Sequence, residues 1–362
     1  MIRIPANVEK FSAQNGSSKL FECFADLVAH YNKKEGYDAT VSFSEKESKV
    51  NAMLQTEIAK LANIQNFADV APEAWTSNPM YKWATFAVIG AMIDAIIPDT
   101  IIDSMGAFSE VRTGGFGDNF SFEVEPNDLF YVTKSGRGKR HAEGQKSFNG
   151  LITVTPVEHD IAAQVNLYRV LAGKESLAAF AMKCVRSMET EMAYDVYSAF
   201  ETAMGNVPST STKELQYSGW SKANFIALTD KITAYNSGAK PVAIGTRTAL
   251  SNVLPDNTNY RLMIESDYVK IGYLPNFFGI DLIVLPQKAN WKDPYKTVLD
   301  DTNLWVIAPS AGKPVKLCIE GSTMAITDDT YANANLTQQV TMKKMWATGV
   351  ASNATYGFIS IS

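Results

Sequence analysis

The side chains with chemical reach are few and scattered. Three histidines (His30, His141, His159) and three cysteines (Cys23, Cys184, Cys318) are spread over 362 residues. A zinc site needs ligands at close spacing such as HExxH or CxxC, and the sequence contains neither. Cysteines odd in number, far apart and set among apolar residues fit buried thiols better than reactive ones. Arg112-Thr-Gly-Gly-Phe-Gly117 and Gly136-Arg-Gly138 come nearest to a phosphate loop. They lack a following Lys-Ser/Thr pair and do not lead from a strand into a helix, so they read as turns. The Gly-x-Ser-x-Gly elbow of one common hydrolase architecture is missing. Glu123 and Glu125 alternate onto one strand face, with Asp128 just beyond, which is how a catalytic carboxylate pair would be set. Alternating acids also line solvated or docking strand faces, and that is the reading adopted. No catalytic, cofactor-binding or metal-ligating residue is assigned.

Charge is the remaining signal. Between Lys134 and Lys146 stand Lys134, Arg137, Lys139, Arg140 and Lys146 against the single acid Glu143. The segment before it is the reverse: Asp99, Asp103, Glu110, Asp118, Glu123, Glu125 and Asp128 are opposed there only by Arg112. The net charge of −5 removes the positive field of a dedicated nucleic-acid binder but suits a wall that encloses a polyanion without trapping it. The apolar runs look shorter than the roughly 18 to 20 residues needed to span a bilayer. Met1-Ile2-Arg3-Ile4-Pro5 lacks the apolar centre of a signal peptide, so a cytoplasmic protein with no membrane partner is expected.

The elements that must carry these charges follow from periodicity. Leu20, Phe21, Phe24, Leu27, Val28 and Tyr31 recur at helical spacing. A second helix opens with Ser44 and Glu47 as a capping box and carries Val50, Met53, Leu54, Ile58, Leu61 and Ile64 on one face. A third starts at Asn78-Pro79 and ends near Pro98. Alternation then takes over in Phe116, Phe120, Phe122 and Val124, and is answered by Leu151, Thr153 and Thr155 and on through Ile161, Ala163 and Val165. This is a long two-stranded arm with a basic, solvated tip, at best marginally stable alone. About ten extended residues span some 33 Å, so the strands carry the tip away from the acidic segment and its counter-charge should come from a neighbour. The alternative is that both are solvated faces.

From Gly173 to Gly205 runs a long helix with one apolar stripe, Leu177, Phe180, Ala181, Cys184, Met188, Met192, Val196, Phe200 and Ala203, expected to lie across a sheet. Short helices and strands follow from about Ser209 to Asn335. They include a helix opened by Trp220-Ser221, a strand at Pro241–Gly245, a helix from Arg247 to Val253 and a strand through Ile280, Leu282 and Val284. The closing strands, Gln338–Gly349 and Tyr356–Ser362, are expected in the sheet beneath the long helix.

This order resembles the Hong Kong 97 type major capsid protein of tailed bacteriophages. Ile97-Pro-Asp-Thr-Ile-Ile-Asp103 followed by Gly117-Asp-Asn-Phe-Ser-Phe-Glu-Val-Glu125 is similar to the entry to that family's extended loop, and Val154-Thr-Pro-Val-Glu-His159 to its return strand. Tyr268-Val-Lys-Ile-Gly272 with Gly279-Ile-Asp-Leu-Ile-Val284 resembles its axial-domain core, and Thr348-Gly-Val-Ala-Ser-Asn-Ala-Thr-Tyr-Gly357 its closing peripheral strands. The first 95 residues depart most from the family pattern. The resemblance implies an α+β fold in five parts. These are a helical N-terminal arm region (1–98), a peripheral-domain entry (99–115) and an extended loop (116–166). A peripheral domain with a spine helix follows (167–208 and 336–362), interrupted by an inserted axial domain (209–335). It further implies a structural, non-enzymatic subunit that assembles in a host bacterial cytoplasm. Copies would form homo-hexamers and homo-pentamers of an icosahedral virion shell around double-stranded DNA, with a portal and a scaffolding protein as partners and no cofactor. Some relatives cross-link a lysine of the loop to a peripheral asparagine, which here would mean Lys134, Lys139 or Lys146 with Asn353. The competing expectations are an encapsulin-type bacterial compartment shell and an enzyme with an unrecognised site.

Overall fold

The computed structural model describes residues 18–32, 37–124, 130–134, 136–137, 144–146, 149–166, 169–170, 172–205, 215–255, 272–289, 293, 295–327 and 337–361. The chain opens with helices α1 (Ser18–Tyr31), α2 (Phe43–Leu61), α3 (Pro72–Ser77) and α4 (Pro79–Met105). The apolar spacing of α1 puts Leu20, Phe21, Phe24 and Leu27 in the core. The capping box of α2 is Ser42 with Glu45, not Ser44 with Glu47. Extended Ser42 accepts from the Glu45 N–H at 3.4 Å and donates its own N–H to Glu45 Oε2 at 3.1 Å, and the helix starts at Phe43.

Helix α4 also departs from expectation, passing through Pro98 and ending at Met105. Proline inside a helix forfeits one backbone bond at a cost of about 3 kcal/mol. The continuation places Met105 and the following Phe108 in the core, burying surface that offsets the loss. By length and composition Pro79–Pro98 could cross a bilayer, contrary to the expectation from the apolar runs, but 72% of that stretch is buried inside the protein. It is a core helix.

The spine helix, α5 (Leu177–Gly205), is about 44 Å long. Its first turn is held from two sides: Ser176 Oγ accepts from Ala179 N–H at 3.2 Å, and Asn51 Oδ1 of α2 accepts from Leu177 N–H at 3.1 Å. The single stripe predicted for it is too narrow. Ala178, Val185, Ala193 and Tyr197 are buried as well, because α2 and α4 cover the side turned away from the sheet. Phe180 of the stripe is only half-buried, whereas Phe200 is fully buried, edge-on to Trp305 at 5.2 Å.

Beneath α5 lies a four-stranded sheet of β1 (Ser109–Gly114), β4 (Val157–Asn166), β10 (Val315–Thr327) and β11 (Thr337–Val350) in the order β1-β10-β11-β4. Val315, Leu317 and Ile319 alternate toward the helices with Val340, Met342 and Trp346 across the ladder, as a pleat requires. The predicted arm return divides at Pro156, which has no N–H for a ladder. Strand β3 (Gly150–Val154) pairs with β2 (Phe120–Val124), while β4 pairs with β11.

A six-stranded sheet forms the second unit from β5 (Gln216–Ser218), β6 (Val242–Gly245), β7 (Asn276–Phe277), β8 (Ile280–Val284), β9 (Asn303–Ile307) and β12 (Gly357–Ser360). Helix α6 (Lys222–Tyr235), capped by Ser221, and α7 (Arg247–Ser251) cover it. Of the closing strands only β11 joins the helix's sheet; β12 pairs with β5 and β9. Conversely β10, from within 209–335, joins the first sheet, so the chain crosses between units more often than a simple insertion would. The units share a core: β6 and β9 turn Ile244, Trp305 and Ile307 toward α5, and Ala243, Leu304 and Val306 toward α6.

Between α4 and the first sheet sits a buried ion pair. Asp94 of α4 and Lys344 of β11 are in contact with only 4% and 2% of their side-chain surfaces exposed. A bulge in β10 between Glu320 and Met324 takes Thr323 out of the ladder. Thr323 instead gives its N–H to Asp94 Oδ2 at 2.8 Å and its hydroxyl to Oδ1 at 2.6 Å. Lys344→Ala would strand the carboxylate and is expected to cost about 3–5 kcal/mol in urea unfolding, whereas Asp94→Leu combined with Lys344→Met should recover most of it. On the spine helix, Phe200→Ala should cost about 3–5 kcal/mol by the same measurement, and Phe180→Ala distinctly less.

Candidate functional site

Among the described residues no group of three or more His, Cys, Asp or Glu side chains could hold a metal ion. His30 stacks on Tyr37 with ring centroids 4.4 Å apart, and His141 lies outside the described residues. Burial pushes the Cys184 thiol up to about 11, and burial also raises Cys318, so neither offers the thiolate that reacts. Cys23 is half-buried, not fully buried as expected.

The features that stand out belong to the arm. Its base packs on the sheet face opposite the spine helix, where Phe120, Phe122 and Val154 cover Cys318 and half-buried Ala347. Charge closes the edge of this cluster. Lys316 Nζ donates to Glu110 Oε2 at 2.6 Å while Arg112 holds Oε1 through Nε and Nη2 at 3.0 and 2.9 Å. The Arg112 guanidinium also lies 4.5 Å from the Phe122 ring centroid and donates to the Ser121 carbonyl at 2.5 Å. Strand β2 is thereby fastened to β1 and β10. Sequence reasoning missed Lys316. Its signal is a lysine alternating with Val315, Leu317 and Ile319, a position that a sheet covered on both faces must pair.

Above the base the arm turns apolar and loses its cover. Leu151 is 64% exposed, Tyr131 87% and Val132 94%. Gln145 joins the two sides, accepting from Tyr131 N–H at 2.8 Å and donating to its carbonyl at 3.0 Å. Lys134, Arg137 and Lys146 are exposed on the tip and Glu123 is exposed on β2. Glu125, Asp128, Lys139 and Arg140 fall outside the described residues. The acidic segment is less free than its composition implies, since Lys316 joins Arg112 on Glu110 and Asp118 Oδ2 closes the β1–β2 turn by accepting from Gly115 N–H at 2.5 Å.

Where β4 meets the spine helix, His159 stacks on Trp346 with centroids 3.6 Å apart, and the indole N–H donates to Asp195 Oδ2 at 2.9 Å. This joins the sheet to α5 next to an open groove lined by Ile161, Lys183, Arg186 and Met188. On the other sheet face Lys343 holds Glu158 at 2.7 Å and Asp160 at 3.5 Å.

A family model described as SPbeta prophage-derived putative capsid protein YonB matches residues 24–360. No curated protein matches. Among solved structures, a phage-related protein from Bordetella bronchiseptica RB50 is 13% identical, with 76% of this chain and 96% of that one covered at a TM-score of 0.49. The capsid of a native GTA particle is 12% identical, covering 72% and 90% at 0.49. The head of Helicobacter pylori bacteriophage KHP40 is 12% identical, covering 71% and 90% at 0.47.

The charge closing the arm base has a pH signature. Burial raises the Glu110 carboxyl, but the hydrogen bonds and charges of Lys316 and Arg112 outweigh it and hold the group below its ordinary 4.5. A carboxyl depressed by folding adds stability above its unfolded value and loses it as pH falls through the folded one. Acidification below about pH 4.5 should therefore loosen the base first, read as faster amide exchange in residues 120–124. Glu110→Gln should cost about 1 kcal/mol at pH 7 and flatten that dependence.

Proposed function

Because the chain belongs to the family of the SPbeta prophage-derived putative capsid protein YonB, we propose that it is the major capsid protein of a tailed bacteriophage or derived prophage, built on the Hong Kong 97 type plan. The family match over residues 24–360 carries this reading. An arm followed by a spine helix over a sheet, with a second mixed unit, supports it. Copies assemble in the host cytoplasm into hexamers and pentamers that close an icosahedral virion shell around double-stranded DNA, with a portal and a scaffolding protein as partners. The role is structural and not catalytic. The net charge of −5 suits a wall that encloses DNA without sequence-specific binding. A match to a prophage capsid family favours a phage head over a bacterial cargo compartment.

The arm is the part that joins copies. A two-stranded ribbon whose outer residues are apolar and uncovered needs a partner surface. Its tip, Lys134, Arg137, Lys139, Arg140 and Lys146, docks on an acidic surface of the next copy. Glu123, Glu125 and Asp128 are the leading candidates there, since Glu110 is already engaged within its own subunit. Each exposed pair contributes under about 1 kcal/mol, but many copies per shell multiply a weak contact.

Electron microscopy of the purified protein should show capsomers, shells, tubes or sheets. A compact monomer at every concentration and salt would contradict the reading. Reversing Arg137, Lys139 and Arg140 to Glu should lower assembly yield and its salt dependence while leaving the melting temperature unchanged. Wild-type assembly in that variant would refute the docking arrangement, and an equal fall in melting temperature would make the tip a folding element.

A further inference from the structure

The hairpin β7–β8 carries an aromatic residue where folding alone would not place one. Phe277 faces Ile280 and Asn276 faces Asp281 across the ladder, so Phe278 and Gly279 form the whole loop. Their φ angles are +51° and +78°. Both central residues of such a turn sit in the left-handed region, where Asn-Gly or Gly-Gly is favoured and a bulky aromatic is strained. Phe278 bears that strain while 56% exposed. The turn does not need the ring to close. Asn276 Oδ1 accepts from Gly279 N–H at 3.0 Å, Asn276 Nδ2 donates to Asp281 Oδ1 at 2.9 Å, and Lys240 holds Asp281 Oδ2 at 2.6 Å.

The ring is nonetheless held in place. It stands perpendicular to Phe277 with centroids 4.7 Å apart, and Lys222 Nζ lies 4.6 Å from its centre. Phe277 in turn packs on buried Phe225 at 5.6 Å, so Phe278 is the outermost member of an aromatic row rooted in the second core. A strained, exposed, pre-ordered aromatic points to a use outside the subunit, because interface anchors are drawn from such side chains. Strand β7 is the edge of its sheet and has two residues, too few to template strand pairing between copies, so a contact here must be made by side chains.

We propose that Phe278 is an intersubunit anchor that inserts into a second copy of this chain. The inference rests on the capsid reading, which supplies the second copy. A closed ring of identical subunits needs a projection on one side of each copy that is received by a different surface of the next, and the β7–β8 tip is such a projection.

The strain gives the test a sign. In full-length protein, Phe278→Gly relieves the left-handed position and should leave the melting temperature at or above wild type. It should also raise the concentration for half-maximal assembly by about tenfold, the effect of truncating an interface anchor. Phe278→Tyr should restore assembly. Three outcomes would count against the proposal. If wild type assembles and the glycine variant assembles equally well, the anchor is refuted and the capsid reading stands. A melting temperature that falls along with assembly would make Phe278 a folding residue. Wild type that never assembles would sink the capsid reading and the anchor with it.

Discussion

One buried interaction joins the three segments on which the first unit depends. Asp94, Thr323 and Lys344 come from an N-terminal helix, a bulged strand and a closing strand up to 250 residues apart. A carboxylate in an apolar core is tolerated only when its oxygens are satisfied, and here a hydroxyl, a backbone N–H and an ammonium do so. The Thr323 N–H is available because it lies in the bulge of β10, beyond the end of the β1 ladder at Glu320. The arrangement fixes where α4 crosses the sheet, and with it the cover over the second side of the spine helix. The N-terminal helices, which the family match takes in from residue 24, are thus part of the core and not a detached arm.

With one sheet face sealed by helices, the other is left for the arm. Phe120, Phe122 and Val154 root it there, and the charges of Glu110, Arg112 and Lys316 close the edge of that root. Leu151 of β3 is exposed to water, as are Tyr131 and Val132 outside the paired strands. A subunit that anchors an extension firmly and leaves its outer part uncovered is suited to contact a neighbour, which is what a capsid subunit must do. The second unit shows the same economy at smaller scale, with an exposed aromatic standing on a buried row.

Local signals are legible in the sequence and long-range pairings are not. Ser221 does cap α6 and Asn78-Pro79 does open α4, because caps act over a few residues. Pro98 misleads because the burial of Met105 and Phe108, invisible in local spacing, offsets a broken helix bond. Strand β12 lies in another sheet than expected because it alternates well enough for either; its partner Val306 is selected by tertiary packing. Asp94 is the one acid in the apolar stretch from Ala84 to Pro98 of α4, a placement that calls for a partner, yet no local spacing points to Lys344. At the candidate site, composition reveals the basic tip but not that Glu110 is occupied by Lys316, since that pair spans 206 residues.

The central claim is that the arm is completed only by a neighbouring copy. Amide hydrogen exchange across residues 120–154, compared between dissociated subunits and assembled particles of the same protein, tests it directly. The account expects the arm outside its root to exchange rapidly in the free subunit and to become strongly protected on assembly, while the spine helix is protected in both. Equal protection of the arm in both states would contradict it.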